Sequence, residues 1–179
     1  MQSHSLGVLA PRGWHCFEVH GSDQSILYVA PEPLSYERLQ GRDKLSGPAV
    51  TLSRTYGGTS GRFTVVPMIA RLFPAHAGFI GEVEKMGFEI GPLPDGPYPS
   101  DGLERLSPTE VRFTTPARST GLGTVGALDA RSGPVDGLIV LLPEEDMDLI
   151  SLRVRLATEP APIARTIMDF VALDHGRRP

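Results

Sequence analysis

Tyr56-Gly57-Gly58-Thr59-Ser60-Gly61-Arg62-Phe63 joins an alternating segment, Ala49 to Tyr56, to an apolar one that runs on through Leu72. Two readings of this stretch lead to different folds. If it opens a helix, Phe63, Val66, Ala70 and Phe73 fall on one stripe and Val65, Ile69 and Leu72 on the next. That predicts a buried helix with Thr59 or Ser60 as its N-cap. If it is a hairpin turn, the β-branched Thr64, Val65 and Val66 belong to a strand and Pro67 begins a shorter helix at N1. We adopt the helix, in which Pro67 must produce a kink because it removes one backbone bond.

Working outward towards the N-terminus, Val50, Leu52 and Arg54 alternate with Thr51, Ser53 and Thr55, a strand with one polar face. Before it, Trp14 to Val19 and Ser25 to Val29 form a hairpin about Gly21-Ser22-Asp23-Gln24, and Leu34 to Leu45 holds one or two helical turns. Residues 1–13 read as an arm. Towards the C-terminus, Pro74 restarts a helix with Phe79, Ile80, Val83 and Met86 on one stripe and Gly87 at C′. The two helices form a hairpin that covers one face of the sheet.

Gly91 to Pro108, with five prolines and three glycines, admits no regular element and reads as a long loop of the kind that is often functional. Val111 to Thr115 is a short strand, Ala117 to Thr124 a second glycine loop, and Val125 to Leu128 a brief strand. The continuous apolar run Val135 to Leu142 marks a central strand. Ile150, Leu152, Val154 and Leu156 alternate with Ser151, Arg153 and Arg155 as a half-buried strand, and Pro160 and Pro162 introduce a last helix through Ile163, Ile167, Phe170 and Val171. Residues 174–179 read as a tail. The order predicts one α+β domain over 1–179, a mainly antiparallel sheet of about six or seven strands covered by a helical hairpin and a C-terminal helix.

A chain of 179 residues buries roughly 70% of its unfolded surface and needs no disulfide or metal as a staple. Its net charge of −4 argues against a nucleic-acid partner, and its longest apolar runs fall short of a membrane span. The basic residues are 15 Arg against two Lys, with no Asn, a bias of the kind high-GC codon usage produces. The single Cys16 excludes an intrachain disulfide and an all-cysteine metal site. The N-terminus carries no signal-peptide pattern, while the Gly and Pro content leans towards an extracytoplasmic bacterial protein. No motif calls for a cofactor, and the oligomeric state is left open.

The opening stretch could hold an anion at a helix N-terminus, with Thr59, Ser60 and Arg62 as donors. It is not a Walker loop, because both spacing and lysine are wrong, and Arg62 stands where a hydrolase elbow needs glycine. Over a few residues it resembles the serine loop of amidase-signature enzymes, but without their lysine and second serine at a recognisable spacing nothing is carried over. Cys16 and His20 stand about 13 Å apart on a strand, too far to share one zinc. Glu144-Glu145-Asp146-Met147-Asp148 lacks the calcium-loop glycine and distal glutamate and reads as a solvated turn.

Tyr98 and Asp101 on the proline-rich loop, and Arg118 and Thr120 on the second glycine loop, complete the expected site if these loops converge with the opening one. Arg62 and Arg118 would then clamp a carboxylate or phosphate. The expectation is a small binding or accessory module that recognises a partner or a small anionic ligand through its loops. The alternatives are a hydrolase using Ser60 or Cys16 with a histidine, drawn from His15, His20 and His76, and a structural protein without ligand.

Overall fold

The structure is a computed structural model that describes residues 6–40, 44–156 and 161–176. Seven strands form one antiparallel sheet: β1 His15–His20, β2 Gln24–Ala30, β3 Ala49–Thr55, β4 Gly102–Ser107, β5 Glu110–Thr115, β6 Val135–Leu142 and β7 Asp148–Arg155. Their order is β1-β2-β3-β7-β6-β5-β4, so the last strand in sequence lies in the middle. The helices are α1 Tyr36–Gln40, α2 Arg62–Leu72, α3 Gly78–Lys85 and α4 Ala161–Val171, with a 3-10 turn at Pro74–His76 and a π turn at Ala172–Gly176. The expected α+β class holds.

The opening stretch does lead into a helix, but its cap differs from expectation. Gly61 occupies the N-cap position, and no side chain caps the helix. The Arg62 and Phe63 amides instead donate to the carbonyls of Thr59 and Ser60, so turn carbonyls take over the work of a capping hydroxyl. Pro67 lies inside α2, where the deficit falls on the carbonyl one turn back, at the exposed Phe63.

Strand alternation sends the two sets of side chains to opposite faces. Val50, Leu52, Leu138, Val140, Ile150, Leu152 and Val154 meet Ile167, Met168 and Val171 of α4, together with Leu6 from the arm. On the other face Ile139, Leu141, Leu149, Val111 and Phe113 meet Val65, Ile69 and Leu72 of α2 and Phe73 at its C-cap. The sheet is therefore covered on both sides.

That double cover corrects several expectations. β7 is not half-buried: Ser151 and Arg155 are buried on its polar side, as are Thr51 and Ser53 on β3. Gly102–Ser107, expected as loop, is an edge strand, which its flanking prolines and a register shift between Arg105 and Ser107 conceal. Val125 to Leu128 is no strand; only Leu128 bridges to Leu45. The helical tail continues through Gly176, and Pro160 and residues 177–179 lie outside the described residues. Asp148, expected in a solvated turn, is buried against Arg54.

Candidate functional site

One row of paired residues crosses all seven strands on the α2 face: Phe17, Tyr28, Thr51, Arg153, Gly137, Phe113 and Leu103. Arg153 stands at its centre with the two smallest side chains on either side. A Cβ at Gly137 would lie 2.3 Å from Phe113 Cζ, so the phenyl ring leans over the glycine. Small neighbours make room for a guanidinium, and the rings of Tyr28 and Phe113 stand beyond them.

Two loops roof this row. The carbonyl of Leu122, on the second glycine loop, accepts from Arg153 Nε at 2.7 Å, and the carbonyl of Thr124 accepts from Lys44 Nζ at 2.8 Å. Asp101 ends the proline-rich loop and ties it to the glycine loop: its Oδ2 accepts from the Leu122 amide at 2.9 Å and its Oδ1 from Thr115 Oγ1 at 2.6 Å. Ser100 Oγ donates to the Thr120 carbonyl at 2.7 Å. Gly121 permits this closeness, because a Cβ there would overlap Asp101 Oδ1 at 2.0 Å. Tyr98 packs on the α2 core, and the Arg71 guanidinium lies 3.9 Å above its ring centre.

Arg153 is deeply set, with part of its side chain still reachable from solvent. Its single hydrogen bond among the described residues is the one to Leu122, and it forms no ion pair with a carboxylate among them. Burial pulls its pKa down to about 10, opposed by the nearby phenols of Tyr28 and Tyr98. Burial also raises the Tyr28 pKa, with Arg153 opposing the rise. A cation set into a protein without an opposite charge is costly, and an anion relieves that cost. Arg155, one step along the same face, differs. Its Nε and Nη2 donate to the Gly47 carbonyl at 2.9 and 2.7 Å and its Nη1 to the Asp129 carbonyl at 2.7 Å, which consumes it structurally.

Of the residues expected to form the site, Tyr98, Asp101 and Thr120 come together here. Asp101 does so as a brace for the loops. Arg118 lies exposed on the same loop at φ 63°, its amide donating to the Ala130 carbonyl at 2.7 Å. Thr59, Ser60 and Arg62 are elsewhere. The opening loop follows Thr55, which pairs with Leu149, whereas the second glycine loop follows Thr115, which pairs with Val135; these are opposite ends of the sheet. The two-arginine clamp therefore does not assemble. Arg62 turns back on its own loop, with Nε donating to the Thr59 carbonyl at 2.5 Å and Nη2 to the Gly58 carbonyl at 2.7 Å.

Sequence reading missed Arg153, Tyr28 and Lys44. The available signal was the arginine within the β7 alternation, which a solvated face explained equally well. A second polar chain lies on the α4 face, where Ser25 Oγ is 3.0 Å from His20 Nδ1 and 2.6 Å from the Tyr56 hydroxyl, and His20 Nε2 is 3.6 Å from Glu18. Neither Ser60 nor the exposed Cys16 has a histidine partner among the described residues. No group of three metal-ligating side chains occurs among them, and no helix among them is long and apolar enough to cross a membrane. Comparisons of the chain with family models, curated proteins and solved structures find no match.

Proposed function

We propose that this protein is a binding module for a small anionic ligand, taken at Arg153 beneath the proline-rich and second glycine loops. One observation carries the reading: a deeply set guanidinium, without a carboxylate partner among the described residues, stands between small neighbours under two loops braced to each other. Nε is committed to the Leu122 carbonyl. The Nη edge is left for a carboxylate or phosphate, whose two oxygens match that fork. Tyr28 and Tyr98 supply phenols at its margin, and Lys44 adds positive charge through the loop it anchors.

A thermal-shift panel of carboxylates, phosphates and sulfates tests this. A ligand at 100 times its Kd adds about 2.7 kcal/mol to the folded state, a rise of roughly 5 to 10 °C for a domain of this size. Such a rise in the wild type and its absence in Arg153→Met supports the reading. Equal shifts in both proteins refute it.

The His20 to Ser25 hydrogen bond favours a second reading, a serine hydrolase whose nucleophile is Ser25 rather than Ser60 or Cys16. Ser25 is only 4% exposed and its hydroxyl is shared with Tyr56, so this reading requires an opening motion before attack. Labelling of Ser25 by a fluorophosphonate probe above a denatured control would establish it.

A further inference from the structure

At the far end of α2, away from Arg153, the surface carries an apolar patch that the anion-binding reading does not use. Phe63, Met86 and Phe88 are 45%, 57% and 43% exposed. They form one patch: the two phenyl rings meet edge to face at 5.2 Å, Arg62 lies 5.6 Å over the Phe88 ring, and its Nη1 is 2.9 Å from Met86 Sδ. Phenylalanine, methionine and arginine are residue types that interface centres favour, and Met reshapes readily around a partner. A contiguous exposed patch of this kind marks an interaction site more often than scattered apolar residues do.

Beside the patch opens a cleft of about 320 Å³ whose lining includes Phe79, Val83, Met86 and Met147, with Glu82 and Asp146 also on its walls. Neither acid forms an ion pair among the described residues. The one cation in the lining, Arg62, spends its donors on the carbonyls of Gly58 and Thr59 and on Met86. Its positive charge persists, so two acids against one cation leave the lining net negative beside the apolar Phe79, Val83, Met86 and Met147. An anionic membrane surface would meet net repulsion from this lining.

We propose that the Phe63, Met86 and Phe88 patch and its neighbouring cleft dock a peptide segment of a partner protein, one apolar anchor residue flanked by lysine or arginine. The anchor enters between Met86 and Met147, and the basic flanks face Glu82 and Asp146. This inference is independent of the Arg153 site.

The test pans a random dodecapeptide display library against the immobilised full chain, then measures an enriched peptide by fluorescence anisotropy. The expected consensus is an apolar residue with neighbouring Lys or Arg. Its Kd weakens at least about tenfold in Phe88→Glu and in the Glu82→Lys, Asp146→Lys double variant, and rises with salt. All altered residues are exposed, and an unchanged thermal transition verifies folding. The proposal is overturned if nothing is enriched, if the enriched peptides are acidic or uncharged, or if binding survives both variants. A dimer in sedimentation equilibrium that Phe88→Glu dissociates would overturn it in favour of self-association.

Discussion

Arg153 donates from Nε to the carbonyl oxygen of Leu122 across 2.7 Å, so the cation at the centre of the sheet and the loop that roofs it are fixed to each other. A single arginine thereby positions the loop and offers its remaining donors beneath it. These two roles separate on mutation. Arg153→Met removes a costly buried charge and one hydrogen bond of about 1 kcal/mol. Its unfolding free energy should lie within about 1 kcal/mol of wild type in urea, while the response to anions disappears.

Arg153→Lys keeps the charge but loses the fork. An ammonium's three tetrahedral donors do not form the parallel pair that matches a carboxylate's two oxygens, so affinity should fall roughly tenfold or more. Isothermal titration with the best carboxylate of the panel measures it. Equal affinity in the lysine variant would mean that only net charge matters.

The pH profile follows from the same group. Burial holds its pKa at about 10, below the ordinary arginine range, so the folded state carries the charge at a cost that is full below pH 10 and is relieved as pH climbs through that value. Across pH 6 to 9 the guanidinium stays charged and a carboxylate ligand stays ionised. Affinity should be flat over that window by titration calorimetry. A bell or a step near neutrality would assign the site to a histidine instead.

Gly137 is a demand of packing. Its Cβ would come within 2.3 Å of both the Leu152 carbonyl oxygen and Phe113 Cζ in the middle of the sheet. Gly137→Ala should destabilise by about 2 to 3 kcal/mol and lower the thermal transition accordingly, whereas Gly81→Ala, at a helical position where a Cβ meets nothing within 4 Å, should not destabilise.

Asp148 holds the start of the opening loop, accepting from the Gly57 amide at 2.9 Å and from Arg54 Nε at 2.8 Å. Asp148→Ala leaves the buried Gly57 amide unpaired while Arg54 keeps its ion pair with Glu145, at about 2 kcal/mol. Asp148→Asn, which still accepts from Gly57, should cost about half as much in denaturant unfolding.

Much of this architecture was legible in the residues. The apolar run Val135 to Leu142 coincides with β6, and stripe spacing placed α2 to within a residue, whereas the helix expected from Pro74 opens as a 3-10 turn and α3 starts only at Gly78. The failures share a cause. β4 escaped because an exposed edge strand needs no apolar alternation, and its six residues sit between Pro99 and Pro108. Arg153 escaped because period-two alternation identifies two faces without saying what covers the polar one. Both loops that cover it come from distant sequence, and only the fold brings Leu122 over β7.

The most direct test is an NMR titration of the Arg153 side chain, assigned by comparison with Arg153→Met, with the carboxylate that gives the largest thermal shift. Binding at the guanidinium should shift the Arg153 Nε and Nη resonances saturably and slow exchange of the Nη protons, with Arg155 unchanged. If the ligand saturates the protein and the Arg153 resonances do not move, the anion is not held there and the central claim is wrong.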